Sequence, residues 1–293
     1  MEPILEFIQE QLERWPMARR NFDALTSVEM RSVTGPGGMT FRIQHNPARA
    51  VSTGAKVDAA TLSKRPCFLC QKNRPEEQMV WPLGVAEDGL MACYHLLVNP
   101  FPIFSRHFTV ALAGHAPQLI SGDACAKARD MVLLAQRFPG MAVFYNGPHC
   151  GASAPDHFHF QMVDASDMPL LERVARGDTL PFEVLSDELA PDKMPQWLAG
   201  VLAALASRPE NHGEAEPRVN ILATATGSGL VRMAVIPRRA HRPDFYGTDE
   251  GEWLVSPASV DLAGTVILPR EADFRAFSPD TLRALLAQTT YLL

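Results

Sequence analysis

The chain has 293 residues, enough for one large or two modest domains, each with a proper buried core. Hydrophobic residues make up 46% and charged residues 20%, an ordinary globular balance. The net charge of −6 excludes a bulk basic field that would draw the chain onto nucleic acid or anionic lipid. The start, Met1-Glu2-Pro3, lacks the basic region and apolar run of a secretory signal, and no stretch reaches the roughly 20 apolar residues of a membrane span. Five cysteines, an odd number, do not read as a disulfide framework, so a cytoplasmic, reduced protein is expected.

In chain order, Ile4, Leu5, Ile8 and Leu12 fall at helical spacing behind Pro3, which predicts an opening amphipathic helix. Gly35-Pro36-Gly37-Gly38 reads as a turn before a strand over Met39–Gln44. Leu96–Val98 and His107–Leu112 are β-like, separated by the Asn99-Pro100-Phe101-Pro102 break, which no central strand could run through. A helix over Asp123–Arg137 closes at Pro139-Gly140. Short strands follow at Met141–Tyr145 and His157–Val163. Helices near Met168–Arg176 and Pro195–Ala206 lead to a polar, linker-like stretch, Ser207–Pro217. Strands return at Val219–Ala223, Leu230–Ile236 and Leu262–Leu268. A last helix behind Ser278-Pro279 carries Leu282, Leu285 and Leu286 on one face. Strands and helices without regular βαβ alternation predict an α+β fold. We divide the chain into a catalytic lobe (1–170), a helical connection and linker (171–217) and a second α+β lobe (218–293) packing on the first.

The chemistry concentrates in His157-Phe158-His159-Phe160-Gln161. A strand period of two puts His157, His159 and Gln161 on one face and the two phenylalanines in a core. Imidazole is nucleophilic near neutral pH, and a glutamine amide can donate to a phosphoryl oxygen without adding charge. The same spacing also suits a satisfied histidine pair or a purely structural pair of metal ligands. The preceding loop, Tyr145 to Asp156, holds Gly147, Gly151 and small residues that let backbone N–H groups approach a phosphate, and Ser153 adds a hydroxyl. Pro66-Cys67-Phe68-Leu69-Cys70 supplies two thiolates in one turn, the start of a zinc site, with His95, His107, His115, His149 and His157 as candidate partners. A redox pair or two buried cysteines would give the same spacing, but the flanks do not suggest a thioredoxin-like unit.

Taken in order, Cys67 to Cys70, Asn99 to Pro102 with Arg106 to Val110, Asn146 to Ser153, and His157 to Gln161 resemble the transferase branch of the histidine-triad superfamily. That branch includes galactose-1-phosphate uridylyltransferase, diadenosine tetraphosphate phosphorylase and GDP-galactose phosphorylase. The resemblance spans roughly residues 65–163. It implies a histidine-triad-like antiparallel sheet with flanking helices and two such lobes in one chain. It assigns Cys67, Cys70, His107 and His157 to a structural zinc ion, His159 as nucleophile and Gln161 as phosphoryl ligand. It also places Asn99 and Phe101 against the nucleoside, and Asn146, Gly151 and Ser153 against phosphates. Hydrolases of the superfamily carry a third histidine where this chain has Gln161, so transfer to phosphate rather than water is implied. One departure is the loop between Ser153 and His157, a residue longer than in the uridylyltransferase, which leaves Ser153's role open.

The C-terminal part resembles the phosphorylases at Ser256–Gly264, and Pro237-Arg238-Arg239-Ala240-His241-Arg242 concentrates positive charge, so Arg238 and Arg239 are expected to bind phosphate, a solvated basic turn being the alternative. Arg42, Gln44, Asn46 and Arg49 form a further polar cluster before the Cys67 turn, expected to line the base or sugar pocket. The function implied is a nucleotidyltransferase or phosphorylase. It would move a nucleoside monophosphate from a nucleotide sugar or dinucleoside polyphosphate to phosphate or a sugar phosphate through a covalent nucleotidyl-histidine. The competing class is a zinc-stabilised nucleotide-binding or sensing protein without turnover. Since some relatives complete their sites across a dimer, a homodimer is a further expectation.

Overall fold

The computed structural model describes residues 3–54, 59–62 and 64–293, so the acidic start at Met1 and Glu2 lies outside the described residues. Eleven strands are present among them. In chain order they are β1 (Glu29–Thr34), β2 (Thr40–His45), β3 (Trp81–Leu83), β4 (Tyr94–Val98), β5 (His107–Leu112), β6 (Met141–Asn146), β7 (His159–Asp164), β8 (Leu185–Leu189), β9 (Val219–Ala225), β10 (Val231–Pro237) and β11 (Thr265–Leu268). Eight of them form one sheet in the order β3-β4-β5-β7-β6-β9-β10-β8, with every neighbouring pair antiparallel. A smaller sheet, β1-β2-β11, pairs β2 antiparallel with β1 and parallel with β11. The fold is α+β, with flanking helices, as the lack of βαβ alternation implied.

The period of two decides what each face of the large sheet meets. Tyr94, Leu96, Phe108, Val110, Phe158, Phe160, Met162, Val143 and Tyr145 point to one side. They pack against the opening helix, Pro3–Arg14, and against helices Ala124–Arg137 and Met194–Ala206. Phe158 lies stacked near Tyr145 and edge-on to Phe160, with ring centroids 5.9 and 5.0 Å apart. Each fully buried aromatic here contributes on the order of 2–3 kcal/mol, which fixes the register of the histidine strand.

The opposite face is covered in two pieces. Ala142, Phe144, Val163, Leu222, Ala234 and Ile236 lie under the small sheet and the C-terminal helices. Leu97 and Ala111 lie under the Cys67 turn and Ala154. Between the two covers the polar residues of β5 and β7 line an open cleft. No helix among the described residues is long and apolar enough to cross a membrane.

Three local expectations need correction. The histidine strand begins at His159 rather than His157, because Phe158 pairs through Ala116 O and Leu112 N and the chain at His157 still belongs to the loop. The segment expected as a strand over Leu262–Leu268 is a short helix, Ser259–Leu262, followed by β11. The linker-like stretch is well held: Glu216 is buried, and its carboxylate accepts from the backbone of Ile120 and Ser121. β9, which follows it, pairs directly with β6.

Candidate active site and metal cluster

β7 stands between β5 and β6, paired Thr109↔Gln161, Ala111↔His159 and Phe144↔Gln161. His159 and Gln161 therefore emerge side by side from the centre of the sheet into the cleft. His159 is buried, and its Nδ1 lies 2.8 Å from the carbonyl oxygen of His157. A carbonyl can only accept, so Nδ1 carries the proton and Nε2 keeps its lone pair. Burial lowers the His159 pKa to about 4, so the ring is neutral at physiological pH.

Gln161 is oriented by His107, which is fully buried. The Ile103 N–H donates to His107 Nδ1 (3.2 Å), so the proton sits on Nε2 and is donated to Gln161 Oε1 at 2.8 Å. With its oxygen committed, the Gln161 amide turns its N–H groups towards the cleft. Burial lowers the His107 pKa to about 3, so this tautomer holds at any physiological pH.

His107 is therefore not the fourth metal ligand that the resemblance assigned. The group that comes together is Cys67, Cys70, His115 and His157, whose donor atoms all lie within 4.8 Å of one another. His157 donates Nε2–H to Leu112 O (2.8 Å), leaving its Nδ1 lone pair 3.2 Å from Cys67 Sγ and 3.6 Å from Cys70 Sγ. His115 Nδ1 lies 3.3 Å from Cys70 Sγ. Zn–S bonds of about 2.3 Å and Zn–N bonds of about 2.0–2.1 Å at tetrahedral angles imply S···N edges of roughly 3.5 Å, so this donor set fits a metal ion. The correction follows from the register. His157 sits beside the end of β5, at Leu112, whereas His107 begins that strand, about 17 Å away at ~3.4 Å per residue. His115 lies just past Leu112 and reaches the cluster easily.

The cleft has a volume of about 350 Å³. Trp15, Phe68, Leu97 and Phe101 form its apolar walls, and Asn99, Ser153, His159 and Gln161 its polar lining. Asn99 Oδ1 accepts from the Phe101 N–H (3.0 Å), fixing the Asn-Pro-Phe-Pro turn. Gln44 and Asn46 support that turn from behind through Ile103 O and Pro102 O. The cleft continues into a polar pocket lined by Arg49, Ser52, Asn146, Gly151, Ser153, Gln161, His241 and Arg242. Arg49 lines both parts. It donates to Phe101 O, while its Nε is buried with no hydrogen-bond partner among the described residues, and burial lowers its pKa to about 10.

Asn146 Oδ1 accepts from Asn220 Nδ2, Ser259 N and Ser259 Oγ, which leaves its amide nitrogen for the pocket. Gly151 has φ +95°, and a Cβ there would lie 2.4 Å from Ala258 Cβ. Only glycine lets the loop and the Ser256–Ala258 segment touch. Ser153 lines both parts of the site despite the longer loop after it.

Arg238 and Arg239, expected as phosphate ligands, do not line the site. Arg238 is 1% exposed, and its N–H groups go to Thr289 O, Pro257 O, Ala240 O, His241 O and Asn220 Oδ1. With its donors so committed, it braces the pocket wall from inside. Arg239 is exposed and lies over Tyr291. The basic run instead gives the pocket His241 and Arg242. His149, a candidate partner of the two cysteines, sits on the surface near Glu214.

Residues 7–164, more than half of the chain, match the family described as a domain of unknown function, DUF4922. Among curated proteins none matches the sequence. Among solved structures, the chain is similar to yeast Ap4A phosphorylase Apa2. The match to the enzyme alone has 16% identity and a TM-score of 0.60 over 94% of this chain and 97% of that one. The complex with AMP matches at 18% and 0.59 over 96% and 97%, and the complex with Ap4A at 17% and 0.61 over 98% of both chains. The likeness covers nearly the whole chain and agrees with the histidine-triad-like fold expected from the four motifs. The chain belongs to the DUF4922 family, built on the fold of yeast Ap4A phosphorylase.

Proposed function

We propose that the protein is an enzyme that transfers a nucleoside monophosphate to phosphate or a sugar phosphate through a covalent nucleotidyl group on His159. The observation that carries the reading is the neutral His159, with Nδ1–H held by the His157 carbonyl and its free Nε2 beside the Gln161 amide. The donor is a dinucleoside polyphosphate or a nucleotide sugar. The similar yeast enzyme, described in complex with Ap4A and with AMP, favours the first.

In the first step the Nε2 lone pair attacks the α-phosphorus in line. The P–O bond to the rest of the polyphosphate breaks, and its electron pair leaves with that oxygen. His159 then carries a positive charge, with Nδ1–H still bonded to His157 O. In the second step an oxygen of the acceptor phosphate attacks the same phosphorus, the P–N bond breaks and the ring returns to neutral. The Gln161 amide, the Asn146 amide and Arg49 lie where they can offset charge on the phosphoryl oxygens. The nucleoside is assigned to the apolar part of the cleft, against Phe101 and Phe68. Cys67, Cys70, His115 and His157 would hold a structural zinc ion, which supplies folding energy and leaves no coordination position for substrate.

The test is incubation with α-labelled dinucleoside tetraphosphates and nucleotide sugars, followed by denaturation. Acid-labile label on the protein, lost in His159→Ala at unchanged metal content, is the expected result. Nucleotide binding with no label and no phosphorolysis would replace this reading with that of a binding or sensing protein. Metal loss in His159→Ala would overturn the division of labour between His157 and His159.

A further inference from the structure

The strands that carry the two halves of the site, β6 with Asn146 and β7 with His159, pair only as far as Phe144↔Gln161. Beyond that point they part, and the side chain of Gln118 fills the gap. Gln118 is completely buried. Its Oε1 accepts the His159 N–H (2.7 Å), and its Nε2 donates to His159 O (2.9 Å) and Asn146 O (3.0 Å). Two of these partners are carbonyls, which can only accept, so the orientation of the amide is fixed. One carboxamide thus replaces a rung of the ladder between the strands and sets their separation where the chemistry lies.

Gln118 is itself firmly held. Its N–H donates to Pro155 O (3.0 Å), and two residues on, the Ile120 N–H donates to the buried Glu216 carboxylate (2.7 Å). The same loop carries His115 of the Cys/His cluster three residues earlier. A residue serving only to fill space would need none of these three bonds, and an apolar side chain would leave two carbonyls and the His159 N–H unpaired at the floor of the site.

We infer that Gln118 is a positioning residue that wedges β6 and β7 apart, so that His159 Nε2 and the Asn146 amide address one phosphoryl group. The inference rests on the nucleotidyl-transfer reading. It predicts a loss in the rate of histidine nucleotidylation with little change in ground-state affinity, because displacing reacting groups by about 1 Å costs on the order of 100-fold in rate.

The experiment compares the parent protein with Gln118→Leu and Gln118→Asn, using single-turnover labelling by α-labelled diadenosine tetraphosphate. AMP affinity, metal content and melting temperature are read alongside. The expected result is labelling slowed about 100-fold in Gln118→Leu and about 10-fold in Gln118→Asn, which keeps one contact, with AMP affinity within about threefold and metal content unchanged. Should the leucine variant not fold, the asparagine variant decides. Labelling at the parent rate overturns the inference, and so does a loss of rate, affinity and metal in one proportion, which marks a merely structural role. A parent that takes no label sinks the transfer reading and this inference with it, whereas a labelled parent beside an equally labelled variant sinks this inference alone.

Discussion

Replacing His107 by leucine separates two accounts of the site. If His107 were a metal ligand, its loss would release the ion. It instead links the Ile103 N–H to Gln161 Oε1, at 3.2 and 2.8 Å, well away from Cys67 and Cys70. Leucine is close in volume, so packing loss is small. Two hydrogen bonds at about 1 kcal/mol each disappear, and the buried Ile103 N–H is orphaned at a further cost of about 1–2 kcal/mol, giving about 3–4 kcal/mol in all. At roughly 2 °C per kcal/mol for a protein of this size, the melting temperature should fall by about 6–8 °C. Gln161, freed to rotate, no longer presents its amide to a phosphoryl oxygen. The loss of one such preorganised donor should slow labelling of His159 on the order of 100-fold. Metal content by elemental analysis should stay at the parent's stoichiometry. A fall in metal matching that of Cys67→Ser would restore His107 as a ligand.

Cys67→Ser and His115→Ala should each lower metal content and melting temperature together, since structural zinc contributes on the order of 10 kcal/mol to local folding; intact metal in His115→Ala would remove it from the ligand set. Because the His107 pKa is lowered to about 3 by burial, the unfolded chain takes up a proton there before the folded one does. Its contribution is therefore complete above the unfolded value near 6.5 and is lost as pH falls towards 3, at about 1.4 kcal/mol per pH unit. Between pH 7.5 and pH 5.0 the parent should lose about 2 kcal/mol more stability by urea unfolding than His107→Leu does, and equal losses would contradict it. Gly151→Ala puts a side chain at φ +95° against Ala258 and should cost about 2–5 kcal/mol, read by urea unfolding, together with a loss of AMP affinity. A variant as stable as the parent would show that the loop and the Ser256–Ala258 segment are not in contact.

The alternation in and just before β7 made its two faces legible, because Phe158, Phe160 and Met162 are large and apolar while His159 and Gln161 are polar, and a strand offers only two sides. Composition hid other parts. In β1, β3 and β8 the strand pattern is weak: β3 is three residues long, and the exposed residues of β1 and β8 blur their alternation. Gln118 gave no signal, since a lone glutamine in a loop reads as solvated surface until the parting of β6 and β7 is known.

By itself the sequence determined which residue types could do chemistry and which segments carry them: His159 and Gln161 on a strand, Cys67 and Cys70 in a turn, and glycines in the loop before the histidines. These are local matters of period, spacing and backbone freedom. Which histidine completes the cysteine cluster was decided only by the tertiary structure. His107 and His115 are equally good donors on paper, and the antiparallel register that sets His157 beside Leu112 puts one at the far end of β5 and the other within reach. The same folding turned Arg238 inward, where Thr289, Pro257, Ala240, His241 and Asn220 use its donors, and brought Arg49 from a distant part of the chain to the junction of the cleft and the polar pocket. A side chain's role depends on which partners satisfy it, and for these residues the partners are distant in sequence.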